Sequence, residues 1–168
     1  MSKDWTGNKR TTFATLGASS HGEEERQVDD YYATDPQAMV ELLKLEQFNA
    51  DIWECASGGG HLSQVLIDNG YNVRNSDIVD RGAIDTEIID FLEYKGKWHG
   101  DLITNPPYKY AKEFVEKAHE VVDNGSKIAM FLKLTFLESK KRKSMFDKYP
   151  PKKIYVFSER VECGKNGV

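Results

Sequence analysis

Apolar residues recur along this chain with two alternating periods, and their order outlines its elements. Residues 1–30 show no clear periodicity. Asp35-Pro36 then places an acidic cap and a first-turn proline ahead of Met39, Leu42, Leu43 and Phe48, which share one helical face. Residues 50–55 read as a short strand running into Ser57-Gly58-Gly59-Gly60. Leu62, Val65 and Leu66 line one face of a helix over 61–69, which Gly70 ends. Residues 71–76 alternate as a second strand into Asp77. A third strand at 86–89 ends at Asp90-Phe91, and a fourth at 101–104 is closed by Asn105-Pro106-Pro107. Two successive prolines can neither continue a strand nor sit inside a helix, so that closure is a stiff loop. Ala111, Phe114, Val115, Ala118, Val121 and Val122 mark the next helix. A strongly apolar fifth strand follows at 127–134, then a basic helix or loop at 138–149 and a sixth strand at 153–158.

Strands alternating with helices predict an α/β, doubly wound fold, a mostly parallel sheet with helices on both faces. In such sheets ligands sit beyond the carboxyl ends of the strands, where the strand order reverses. The length of 168 residues suits one domain, expected over 31–168, preceded by a partly flexible N-terminal arm over 1–30. No apolar run approaches the roughly 20 residues of a membrane span, and residues 1–10 hold no signal-peptide core. The expectation is a cytoplasmic protein with no membrane partner. Cys55 and Cys163 form no CxxC pair, and His21 and His61 do not stand at metal-ligand spacing, so no metal site is expected. Trp53 and Cys55 read as core.

The net charge of −4 argues mildly against indiscriminate nucleic-acid binding, but the charge is uneven. Residues 21–35 carry six acids against one arginine. Residues 133–160 carry nine lysines and arginines against three acids, a local excess of the kind phosphate contacts use. Within it, Lys140, Lys141, Arg142 and Lys143 follow the fifth strand's carboxyl end and are the candidate nucleic-acid contacts, set against an ordinary solvated surface.

Two motifs carry chemistry. The first is Glu54-Cys55-Ala56-Ser57-Gly58-Gly59-Gly60, with an acid at the strand end and a second acid, Asp77, at the end of the next strand. Glycines let the backbone turn tightly against a ligand, and the acids suit ribose hydroxyls. No basic residue waits for a phosphate, unlike the dinucleotide fingerprint. The second is Asn105-Pro106-Pro107-Tyr108. An exocyclic amino group on a purine is a poor nucleophile because its lone pair is delocalised into the ring. The Asn105 side-chain carbonyl and the Pro106 backbone carbonyl offer two acceptors for its hydrogens, which is positioning and electrostatic catalysis. Tyr108 offers a stacking face, worth about 1–3 kcal/mol per base.

On these residues the chain resembles the class I S-adenosylmethionine-dependent methyltransferases, particularly the adenine-specific DNA methyltransferases and their small phage-like relatives. The resemblance spans roughly 31–160. It implies a Rossmann-like methyltransferase fold, S-adenosylmethionine as cofactor, S-adenosylhomocysteine as product and no metal. It implies Glu54, Ala56, Gly58 and Gly60 at the methionine portion, Asp77 at the ribose, and Asp90 and Phe91 at the adenine. Thr34, in Tyr32-x-Thr34-x-Pro36, would meet the cofactor's carboxylate end. Asp80 rivals Asp77. Asn105, Pro106, Pro107 and Tyr108 would be the catalytic loop, acting on the 6-amino group of adenine in DNA, with the base extruded from the stack. Two departures stand out. There is no room for a separate target-recognition domain, and the family's final antiparallel strand is expected to be absent or the sheet to end early. Adenine in RNA and glutamine side chains of proteins pose the same lone-pair problem. A non-catalytic cofactor- or nucleic-acid-binding module is the rival of another class.

Overall fold

The computed structural model describes residues 33–159, 161, 163 and 164; the expected arm over 1–30, with His21, and Tyr32 lie outside them. In chain order the elements are β1 (Ala33–Thr34), α1 (Gln37–Leu45), β2 (Asp51–Glu54), α2 (His61–Asp68), β3 (Asn72–Asp77), β4 (Glu87–Ile88), β5 (Asp101–Thr104), α3 (Ala111–Val121), β6 (Ile128–Met130), α4 (Lys143–Lys148) and β7 (Cys163–Gly164). Five strands form one parallel sheet in the order β4-β3-β2-β5-β6. The order reverses between β2 and β5, so the switch point lies where Glu54 and Thr104 end their strands. The expected α/β doubly wound architecture is borne out.

Successive side chains of a strand point to opposite faces, and here both faces are covered. Ile52 and Ile103 pack with Met39, Leu62 and Leu66 on the side of α1 and α2. Trp53 and Leu102 pack with Phe114, Ala118 and Val121 on the side of α3. Trp53 is the centre of that second layer. Its ring meets Phe91 and Tyr94 edge-on at 5.3 and 4.8 Å, and its Nε1 donates to Ser76 Oγ at 2.8 Å, so the large ring is buried without an orphaned donor. No helix of the described residues is long and apolar enough to cross a membrane.

The helix boundaries follow from local chemistry. Asp35 Oδ1 accepts from Gln37 N–H at 2.9 Å at the start of α1, the expected acidic cap. At the end of α2, Gly70 takes a φ of 87°, its N–H reaches Ile67 O, and Tyr71 N–H reaches Leu66 O. That pair of bonds is the Schellman closure.

Two expectations are corrected. The fifth strand keeps only Ile128–Met130 of the expected 127–134, because the chain turns into a 3-10 helix at Leu134–Leu137. Residues 153–158 form no strand despite their apolar run. Ile154, Tyr155, Val156 and Phe157 are exposed, and the segment is held through side chains: Lys153 Nζ and Tyr155 Oη both bond Glu46 Oε1. The main sheet ends at β6 with no antiparallel strand among the described residues, in line with the expectation, and a short antiparallel ladder forms apart from it. β7 pairs with β1, Ala33 opposite Gly164 and Thr34 opposite Cys163.

Asp101 ties the base of the sheet together. It is 1% exposed and accepts from Asn49 N and Asn49 Nδ2 at 2.6 and 2.8 Å and from Lys127 N at 2.7 Å. Asp101→Ala leaves three donors without this acceptor and is expected to cost about 3 kcal/mol or more in urea unfolding, since bonds to a charged group are worth about 1.5–3 kcal/mol each. A loss below about 1 kcal/mol would refute that role.

Candidate functional site

The glycine loop is folded against the end of β3. Gly58 N–H donates to Asp77 Oδ2 at 2.8 Å, and Ser57 N–H donates to Ser76 O at 3.0 Å. Gly60 sits at φ 79°, where L side chains are strained, and a Cβ there would lie 2.9 Å from Ala83 Cβ. So the loop needs glycine at this point both for backbone conformation and for room. Asp77 also accepts from Val79 N–H at 3.3 Å. Its rival Asp80 is exposed and caps its own turn through Gly82 N–H at 2.9 Å. Of the two acids, Asp77 is the one joined to the glycine loop.

Glu54 ends β2 beside this loop. It is 1% exposed, and burial pushes its carboxyl up to about 8, so the group holds its proton at neutral pH. Ala56 N–H lies 3.4 Å from Oε1, at the outer limit of a hydrogen bond. Cys55 is also buried in the core, and burial pushes its thiol up.

Asn105 follows β5. Its Nδ2 donates to Thr34 Oγ1, joining two side chains that are 71 residues apart. Its Oδ1 is buried and has no partner among the described residues, as has Ser57 Oγ. Buried acceptors are normally paired, so an orphaned carbonyl at a strand end marks a place for an incoming donor. Pro106 is buried, and Pro107 O accepts from Tyr110 N–H at 2.9 Å, which starts a tight turn at Tyr108. Lys133 Nζ lies 4.4 Å from the centroid of the Tyr108 ring. The sequence reading counted Lys133 only within a basic run. Its place just past the carboxyl end of β6, the neighbour of β5, is the signal that points to it.

The expected site residues therefore divide. Glu54, Ala56, Gly58, Gly60 and Asp77 meet around one loop, and Asn105, Pro106, Pro107 and Tyr108 follow the adjacent strand. Phe91 is 1% exposed, and its ring packs against Trp53 and Phe114. Asp90 is exposed and caps the turn at Phe91 through Leu92 N–H at 2.9 Å. The basic cluster also divides. Arg142 donates to the carbonyls of Phe136, Thr135 and Glu138 and covers the Phe136 ring, and Lys143 pairs with Asp147 at 2.6 Å. Lys140 and Lys141 remain exposed. A cavity of about 230 Å³ runs along α2 and the β3–β4 connection, touching Gly59, Gly60, His61 and Asn75 but not the Asn105 loop.

Fold and site together define a doubly wound α/β domain with a glycine loop and an amide acceptor at its switch point. No protein-family model matches this chain, and no curated protein matches it.

The buried carboxyl gives a pH signature. Below its ordinary value of 4.5, Glu54 is protonated whether the chain is folded or not. As pH rises, the unfolded chain ionises first, so the native state binds more protons and stability falls until the folded carboxyl also ionises near pH 8. Thermal unfolding of wild type against Glu54→Gln should show the variant gaining on wild type across this window. A constant difference between the two would contradict a buried, protonated Glu54.

Proposed function

We propose that this chain transfers a methyl group from S-adenosylmethionine to an exocyclic amino nitrogen, with the 6-amino group of adenine in DNA as the substrate. The observation that carries the reading is the Asn105 side chain: its donor end is held by Thr34, and its acceptor Oδ1 is left buried and unpartnered among the described residues. Such an acceptor, followed by a Pro-Pro turn, suits a nitrogen that brings hydrogens of its own.

The residues present fit the cofactor. Glu54 is a buried carboxyl with no cation beside it among the described residues, and it becomes a full partner when an ammonium group arrives and draws it to its charged form. Gly58 and Gly60 keep side chains away from the loop surface, and Asp77 offers carboxylate oxygens at the end of β3 for hydroxyl groups. When bound, S-adenosylmethionine would supply a sulfonium methyl for a neutral nitrogen to accept, the C–S bond breaking as the N–C bond forms and S-adenosylhomocysteine leaving.

Asn105 Oδ1 accepts one hydrogen of the target amino group, and the Pro106 carbonyl accepts the other. Both pull electron density toward the nitrogen and orient its lone pair. No side chain has to act as a strong base, because the acceptors polarise the amino group without deprotonating it; the extra proton leaves the nitrogen for solvent after the methyl has transferred. Tyr108 supplies a ring for the base to lie against, and exchange of Lys133 for the base on that ring brings a cation to the entrance. That cation and the exposed Lys140 and Lys141 favour a polyanionic substrate over a protein.

Transfer of labelled methyl to DNA, RNA and protein fractions tests the reading. DNA should be labelled, and Asn105→Ala should reduce the rate by about 100-fold or more, the scale for loss of one preorganised polar contact. Label in protein alone would overturn the substrate, and an undiminished Asn105→Ala rate would overturn the mechanism.

A further inference from the structure

We propose that Thr34 is a positioning residue that fixes the polarity of the Asn105 amide, an inference that rests on the amino-group reading above. Thr34 is 6% exposed, and its Oγ1 lies 2.5 Å from Asn105 Nδ2. An amide has a donor end and an acceptor end, and a threonine hydroxyl can bond either. With Nδ2 on Thr34, the atom left over is Oδ1, buried and unpartnered among the described residues. Turned over, the amide would leave an NH2 group in that buried position, and orphaned N–H groups are rarer in native proteins than under-satisfied carbonyls. At its Oδ1 end the held amide presents an acceptor and no donor. It therefore selects a substrate group that brings hydrogens, and it rejects a carbonyl or a ring nitrogen lone pair at the same spot.

The mounting supports this role. Thr34 belongs to β1, where it lies opposite Cys163 in an antiparallel ladder, so its backbone is held by strand pairing and not by a loop. The resemblance would put Thr34 at the carboxylate end of a cofactor; in the structure its hydroxyl is engaged by Asn105. The two roles differ in their kinetics. A cofactor contact changes affinity, whereas a positioning residue changes the rate at saturation.

Thr34→Val keeps the branched shape and removes the hydroxyl, and Thr34→Ser keeps the hydroxyl. At saturating S-adenosylmethionine and DNA, Thr34→Val should lose about tenfold or more in kcat while Thr34→Ser stays near wild type. Calorimetric affinity for S-adenosylhomocysteine should be the same in all three. The double variant Thr34→Val with Asn105→Ala should be no slower than Asn105→Ala alone, because residues acting as a unit are not additive. A wild-type kcat in Thr34→Val overturns the proposal, and so does weakened cofactor binding at unchanged kcat. A readout free of turnover is the exchange protection of the Asn105 side-chain amide protons by NMR. Protection should hold in wild type and Thr34→Ser and vanish in Thr34→Val; persistence in Thr34→Val overturns the assignment. If wild type labels no polymer, the methyl-transfer reading falls, and the NMR comparison still decides what Thr34 does.

Discussion

Parallel pairing of β2 with β5, Ile52 opposite Asp101 and Trp53 opposite Leu102, sets the conditions for everything else in the molecule. These two strands are neighbours in space but not in sequence, with β3 and β4 added on one side and β6 on the other. Because helices cover both faces, no side chain of the pair reaches water from the strand interior. Polar chemistry is therefore confined to the strand ends. At one end Asp101 gathers backbone and side-chain donors; at the other, Glu54 ends β2 and Asn105 follows the neighbouring β5. The packing that makes the domain stable thus also concentrates its reactive groups at the switch point.

The two strand ends solve the burial of polar groups differently. Asp101 is fully engaged, so its burial stabilises the fold. Glu54 and Asn105 are not. Glu54 is kept neutral by its surroundings, and the acceptor atom of Asn105 goes unmatched among the described residues. Each of these costs stability in the unliganded chain, and a cation at Glu54 and an N–H donor at Asn105 would recover it. Unmet polar demand, including the buried Thr104 Oγ1, gathers at the carboxyl ends of these strands, while Asp101 is fully engaged at their start.

Much of this was legible in the residues. Periodicity and punctuation located α1, α2, α3 and strands β2 to β6 because helix caps, Gly70 and the Pro-Pro closure are local signals that tertiary structure seldom overrides. The failures share a physical cause: apolar character and charge are properties of a residue, while burial and pairing are properties of its neighbours. Residues 153–158 have strand composition, yet their side chains reach Glu46 and no ladder forms. The bond between Thr34 and Asn105 spans 71 residues, and no spacing rule reaches that far.

The same distinction sharpens the reading of the basic segment. Four consecutive cations at 140–143 look like one phosphate-binding patch, but Arg142 spends its guanidinium on three backbone carbonyls and the Phe136 ring. Those bonds brace the turn between β6 and α4, and a guanidinium held this way has few donors to spare for a phosphate. Lys143 is paired within its own helix, though an exposed pair of this kind is weak and can be exchanged for a phosphate at little cost. Lys133, outside the run, sits against the one aromatic ring of the Asn-Pro-Pro-Tyr loop. Charge available at the site is thus fewer in number than charge in the sequence, and better placed. Under the proposed function, a few well-placed cations, with no recognition domain in the described residues, would suit a substrate held by its backbone and by one extruded group more than by an extended base sequence.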